Sequence, residues 1–298
     1  MNSRTGCFNV LHTSFPHRLG TAIRAAGLAL ALGLVASSGS AQVTDNIDRS
    51  LLNTWRLNTG SIVRLCQFAG VPTAQFDRSV GEAVADRLLL DSEYKVLGSG
   101  YGIGGEYAGE DIYISLVNDC DILLGMGIGP NLYPQEIATT RPYIGFSYVG
   151  VTTDAQVNRL SDIASDRRLG ARVASYGHTA VQRYIATLPQ SRRWQLLPYG
   201  DIDLMVQRLV DGTLGAMIIY GPTLAEVMAE QPDLSLTIFS LQPETSAQMD
   251  IGGIMLTTNT YLRVLIDEAI VSLVADGTIE ALIAEAGLSG IPHAPGGF

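Results

Sequence analysis

Short β-rich runs and segments of helical period alternate along most of this 298-residue chain, an order that restricts it to parallel sheets covered by helices on both faces. Ile62–Cys66 is the first run, closed by the loop Gln67–Pro72, after which Val80, Val84 and Leu88 recur at helical spacing. Tyr94–Leu97, Asp121–Gly125 and Phe146–Val151 read as strands, with Asp111–Val117 a helix between the first two. The pattern then restarts, with Ala171–Ala174, Ala216–Ile219 and Leu236–Phe239 as strands. Between and after them come helices at Thr179–Ala186, around Met205 and Leu209, and at Thr223–Met228. A last strand, Gly253–Leu256, precedes two helices whose apolar faces hold Leu262, Ile266 and Ala269, then Ile279, Leu282 and Ile283. Two successive sets imply two lobes.

The chain carries a formal charge of −10, and −13 once Arg4, Arg18 and Arg24 of the first 41 residues are left out. That sign argues against binding to nucleic acid or to an acidic membrane surface. The three arginines, the apolar run Ala25–Val35 and the small residues Gly39-Ser40-Ala41 form a cleavable export signal over residues 1–41. The apolar run is too short to span a bilayer, so the product is expected in the periplasm and not membrane-spanning after cleavage. Residues 42–60 then form an N-terminal extension. Export leaves Cys66 and Cys120, which form either a disulfide in an oxidising compartment or two buried free thiols.

Ligands of such sheets gather at the carboxyl ends of the strands, in the loops Gln67–Pro72, Gly125–Pro130, Tyr176–Thr179 and Tyr220–Pro222. Gly177-His178-Thr179 stands at a helix start, where backbone N–H groups favour a polar oxygen; Thr179 as a simple N-cap is the plainer alternative. Gly100–Gly105 fits the dinucleotide pattern G-x-G-x-x-G, but Glu106–Glu110 delays the helix that should begin inside it. A flexible loop is expected there. Neither a nucleophile elbow nor a cysteine–histidine pair is evident, and after export only His178 and His293 remain, neither at ligand spacing from a cysteine. No enzyme activity, metal or cofactor is expected.

In the order of these elements the chain resembles the type II periplasmic solute-binding fold, in the branch containing amino-acid-binding proteins. The resemblance runs over about residues 60–290, through Val63-Arg64-Leu65-Cys66, the helix–strand unit Asp111–Gly125, Thr139-Thr140-Arg141-Pro142-Tyr143, Gly177-His178-Thr179-Ala180, Gly215–Ile219 and Asp276–Ile283. It implies an α/β fold of two lobes, each a mainly parallel sheet flanked by helices, with lobe 1 at 61–143 plus 249–298 and lobe 2 at 144–248. The implied cleft residues are Gln67, Phe68, Gly127, Gly129, Arg141, His178, Thr179 and Tyr220. Arg141 is the strongest polar candidate, with an ion pair to Asp121 or Glu136 as its structural alternative. The connections near Tyr143–Tyr148 and Phe239–Gln248 would serve as hinges, with Gly145 and Pro243 suited to them.

Two departures from amino-acid binders stand out. Gly125–Leu132 contains no arginine to clamp a carboxylate, and Tyr220-Gly221-Pro222 replaces the aspartate that holds an ammonium group. Together with Cys66 and Cys120-Asp121, they are similar to the solute-binding-like proteins associated with quinoprotein (PQQ-dependent) alcohol and methanol dehydrogenases. That likeness implies a role beside a periplasmic quinoprotein dehydrogenase. The alternatives are a receptor working with an ABC permease for a small polar solute, and a lyase or dehydratase on the same fold.

Overall fold

The computed structural model describes residues 60–98, 109–130, 132–288, 290 and 292. The export signal, all of the N-terminal extension but Gly60, and the glycine motif at 100–105 lie outside them. The order is β1 (Ile62–Phe68), α1 (Ala74–Arg87), β2 (Asp91–Leu97), α2 (Gly109–Asn118), β3 (Ile122–Ile128), β4 (Ile137–Thr139) and β5 (Ile144–Thr152). It continues through β6 (Arg168–Arg172), α3 (Tyr176–Thr187), β7 (Gln195–Tyr199), α4 (Ile202–Val210), β8 (Ala216–Tyr220) and α5 (Gly221–Glu230). It closes with β9 (Thr237–Ser240), β10 (Gln248–Leu256), α6 (Thr260–Ala275) and α7 (Thr278–Glu285).

The strands lie in the order β2-β1-β3-β10-β5-β8-β6-β7, with β4 on β10 and β9 on β5. β1 runs parallel to β2 and β3, and β6 parallel to β7 and β8. Antiparallel strands β10 and β5 join these two parallel sets. The fold is thus the two-lobed α/β arrangement expected. The first connection is a continuous strand: Ile144–Ser147 of β5 pair with β10, and from Tyr148 onward β5 pairs with β8 and β9. The second connection lies at 241–247, between β9 and β10, and contains a cis Gln242–Pro243 bond.

Each sheet half has a core on both faces. Leu65, Val80, Val84, Ile266, Ile270 and Leu273 fill one face of the first half, beneath α1 and α6. Ile112, Leu116, Leu123 and the two cysteines fill the other, beneath α2. In the second half Leu169, Val181 and Trp194 lie on the α3 side, and Met205, Leu209, Leu224 and Val227 beneath α4 and α5. Each fully buried aliphatic side chain contributes roughly 1.5–3 kcal/mol of transfer free energy.

Cys66 and Cys120 are bridged, with an S–S distance of 2.11 Å and Cα atoms 5.6 Å apart. The bridge follows from topology: Cys66 pairs in register with Leu123 of β3, so Cys120, just ahead of β3, lies beside it. The same approach places Asp121 under Arg64, whose Nη2 donates to Oδ1 at 2.8 Å while its Nε and backbone N–H donate to Oδ2 at 3.2 and 2.9 Å. Asp121 is almost fully buried, so this bidentate pair cannot lose Arg64 without leaving a charge in the core.

Helices α3 and α5 begin earlier than the periodicity predicts, for reasons visible in their first turns. Ser175 Oγ accepts from the His178 N–H at 3.1 Å and starts α3 at Tyr176, so the N-cap is Ser175 and not Thr179. Pro222 sits in the first turn of α5, where a missing N–H costs nothing, and α5 starts at Gly221. The strand expected at Ala171–Ala174 lies three residues upstream, because Ala174 has a positive φ of 57° that extended pairing cannot use.

Candidate functional site

β5 carries large aromatic side chains at alternate positions, so Phe146 and Tyr148 project from the same face of the shared strand. Tyr220 ends β8 opposite Tyr148 in register. A continuous array results. Phe76 of α1 lies 6.2 Å from Phe146, Phe146 lies 5.9 Å from Tyr220 edge to face, and Tyr220 lies 5.1 Å from Tyr148. Tyr148 in turn lies 6.4 Å from Tyr176 at the start of α3. Tyr220 and Met249 each pack against the cores of both sheet halves, which makes this array the junction between the lobes.

The second lobe brings the α3 start to the array. A Cβ on Gly177 would stand 2.3 Å from Cδ1 of Tyr148, so only glycine lets the helix end approach the ring. His178 and Thr179 follow, both half-buried. The His178 backbone N–H is used by Ser175 and the Thr179 hydroxyl donates to the Ser175 carbonyl at 3.2 Å. From the first lobe, Gly127 of β3 faces the same junction, since a Cβ there would meet Met249 Sδ at 3.2 Å. Gly129 follows β3 and packs toward Leu132. Gly127 is therefore brought to Met249, and Gly177 and Tyr220 to Tyr148, while His178 and Thr179 follow Gly177 in the first turn of α3.

The remaining candidates stand elsewhere. Phe68 is buried in the core beside the disulfide. Arg141 is half-buried beside α6, where its backbone N–H donates to Asp267 Oδ1 at 2.7 Å. Asp267 is thus one carboxylate neighbour of Arg141, where Asp121 or Glu136 is expected as its structural alternative, and Arg64 holds Asp121. Gln67 is fully buried, with its amide committed to protein partners.

Those partners form a cluster that sequence alone does not single out. Gln67 Nε2 and Thr73 Oγ1 donate to Asp77 Oδ2 at 2.9 and 2.6 Å, and Tyr143 donates to Oδ1 at 2.7 Å. Tyr143 accepts from the Gly125 N–H at 3.0 Å, and Tyr94 donates to Gln67 Oε1 at 2.6 Å. Gly125 has φ +73°, and a Cβ there would stand 2.6 Å from Asp77 Oδ2, so its lack of a side chain is what admits the carboxylate. Burial pushes the Asp77 carboxyl up to about 7, against the three donors that hold it down. Burial and the adjacent carboxylate drive the Tyr143 phenol well above its ordinary range, which keeps it a donor. The visible signal was spacing: Asp77 stands three residues before Val80 and seven before Val84, on the helix face that should be apolar.

Among the described residues no group of three or more His, Cys, Asp or Glu side chains could hold a metal, and no helix is long and apolar enough to cross a membrane. The site offers aromatic faces, close backbone and a half-buried imidazole, which suit binding and orientation.

No protein-family model matches the chain, and no curated protein matches it in sequence. Solved structures match it in fold. A substrate-binding protein of an ABC uptake transporter from Streptococcus pneumoniae, with bound histidine, aligns with a TM-score of 0.52 at 15% identity, over 76% of this chain and 92% of that one. The arginine-, lysine-, histidine-binding protein from Geobacillus stearothermophilus gives a TM-score of 0.51 at 19% identity, over 75% and 94%. The GluR0 ligand-binding core in complex with L-glutamate gives 0.54 at 14%, over 76% and 98%. At these identities the likeness is one of fold.

Proposed function

We propose that this chain is a non-enzymatic periplasmic solute-binding protein that takes a small polar solute between its lobes and delivers it to an ABC permease. The lobes are 61–143 with 249–298, and 144–248. The observation that carries the reading is that Gly127 from one sheet half meets Met249, and Gly177 and Tyr220 from the other meet Tyr148, on the two strands shared by both halves. A ligand held there touches both lobes, which is the requirement for closure around it. The fold neighbours that bind amino acids support the receptor role.

The chemistry of the site narrows the solute. With no arginine in 125–132 and Tyr220 where a charged partner would hold an ammonium, the usual clamp on an α-amino acid is missing. We therefore assign the solute to polar molecules that lack the α-amino carboxylate pair. The Cys66–Cys120 bridge and the Tyr220-Gly221-Pro222 helix start favour a second reading. In it, the same cleft serves a periplasmic quinoprotein dehydrogenase as an accessory.

Native mass spectrometry of the chain isolated from a periplasm should show a bound small molecule at one per chain. His178→Ala, which leaves the backbone cap to Ser175 in place, should weaken retention of that molecule about tenfold with unfolding unchanged. Co-isolation of a dehydrogenase without a small molecule would select the accessory role. Turnover of the molecule would overturn the non-enzymatic reading.

A further inference from the structure

Beyond the Tyr176 end of the aromatic array, a groove of about 450 Å³ runs between α3 and the connection at 241–247, within the roughly 300–1,000 Å³ that small-molecule sites occupy. Tyr176 and Tyr184 stand on its α3 wall, eight residues apart, a rise of about 12 Å. Ala180 lies midway between them, so the floor between the two tyrosines is small. Both rings have support behind them. Tyr176 lies 6.4 Å from Tyr148, and Tyr184 lies 6.4 Å from Trp194, whose indole N–H is fixed to the Ile163 carbonyl at 3.1 Å. A ligand entering the groove would therefore meet aromatic faces that are already ordered.

The charge in the groove is asymmetric. Arg183 lines it, is exposed, and makes no ion pair or hydrogen bond among the described residues. Glu244 lies on the other wall, where its Oε1 accepts from the Ser161 N–H at 3.2 Å and its Oε2 is turned away from solvent with no hydrogen-bond partner among the described residues. Thr245 and Ser246 stand beside it on that wall and add hydroxyl groups. Of the two charged side chains the guanidinium is the more exposed, and its planar fork suits a carboxylate.

We infer that this groove is a second ligand site, for a flat aromatic carboxylate whose ring lies over Ala180 between Tyr176 and Tyr184 and whose carboxylate meets Arg183. Benzoate is the probe, with benzylamine as the ring of opposite charge. Titration of the full chain, followed by calorimetry, should show benzoate binding at least about tenfold more tightly than benzylamine. Arg183→Gln, on an exposed position, should weaken benzoate about tenfold, and Ala180→Leu should abolish its binding by filling the floor. His178→Ala should leave benzoate binding unchanged, which separates this site from the junction. Equal binding of the two probes, or benzoate affinity that survives Arg183→Gln, would overturn the assignment.

Discussion

Replacing Cys66 and Cys120 with alanine is expected to lower the unfolding free energy by about 4 kcal/mol. The bridge closes a loop with a sequence separation of 54 residues, and the chain-entropy cost that it removes from the unfolded state is about that size. The site adds to the effect. Both sulfurs lie in the core under α2, so the double alanine variant also loses packing against Leu116 and Leu123. Because both cysteines are buried, thiol reagents should reach neither Cys66 nor Cys120 in the folded protein until a reductant and a denaturant act together. Urea unfolding of the variant and the parent measures the difference. A loss below about 1 kcal/mol would mean that the loop is already restrained in the unfolded chain.

The second large effect is a dependence of stability on pH that comes from one residue. Asp77 titrates near 3.8 in the unfolded chain and at about 7 in the folded one, so the folded state holds this proton more tightly. Its contribution to stability is complete below about pH 4 and is lost as the pH rises through about 7, with a steepest slope of ~1.4 kcal/mol per pH unit. The total is on the order of 4 kcal/mol. Other carboxylates titrate across the same window, so the test is a difference. Asp77→Asn removes the titration while keeping the size of the side chain, and the gap in stability between parent and variant should change with pH between about 4 and 7. Parallel curves would place the ionisation of Asp77 outside that window.

Much of the scaffold is legible from local pattern. β1, β3 and β8 are buried on both faces, and their runs Ile-Val-Arg-Leu-Cys, Ile-Leu-Leu-Gly and Ala-Met-Ile-Ile-Tyr announce themselves. β4 has three residues and β7 is an edge strand interrupted by Pro198, so neither carries a period long enough to detect. The start of β10 is not announced: Gln248 falls in the connection expected at Phe239–Gln248, and Met249-Asp250 precedes the strand expected at Gly253–Leu256, yet all three pair with β5 and form the junction. The site was partly legible for the same reason. Glycines and helix starts after strands have local signatures, and they led to Gly127, His178 and Tyr220. Burial has none for a polar residue: Gln67 looks like a loop residue at the end of β1, and only the arrival of Asp77 and Tyr94 from other elements makes it part of a core. Arg141 shows the same limit, since Asp267 approaches it from more than a hundred residues away.

The two-lobed receptor reading requires that a ligand at the Tyr148–Tyr220 junction draw the lobes together. β5 and β10 cross between the sheet halves as paired strands, so closure has to occur by rotation about that pair and about the segment at 241–247. Small-angle X-ray scattering of the protein, stripped of its co-purified molecule and then resupplied with it, measures this directly. The radius of gyration should fall when the molecule returns, and should not fall in His178→Ala at a concentration that saturates the parent. A ligand that binds at one per chain while the radius of gyration stays fixed would contradict the closing receptor and leave a rigid docking module in its place.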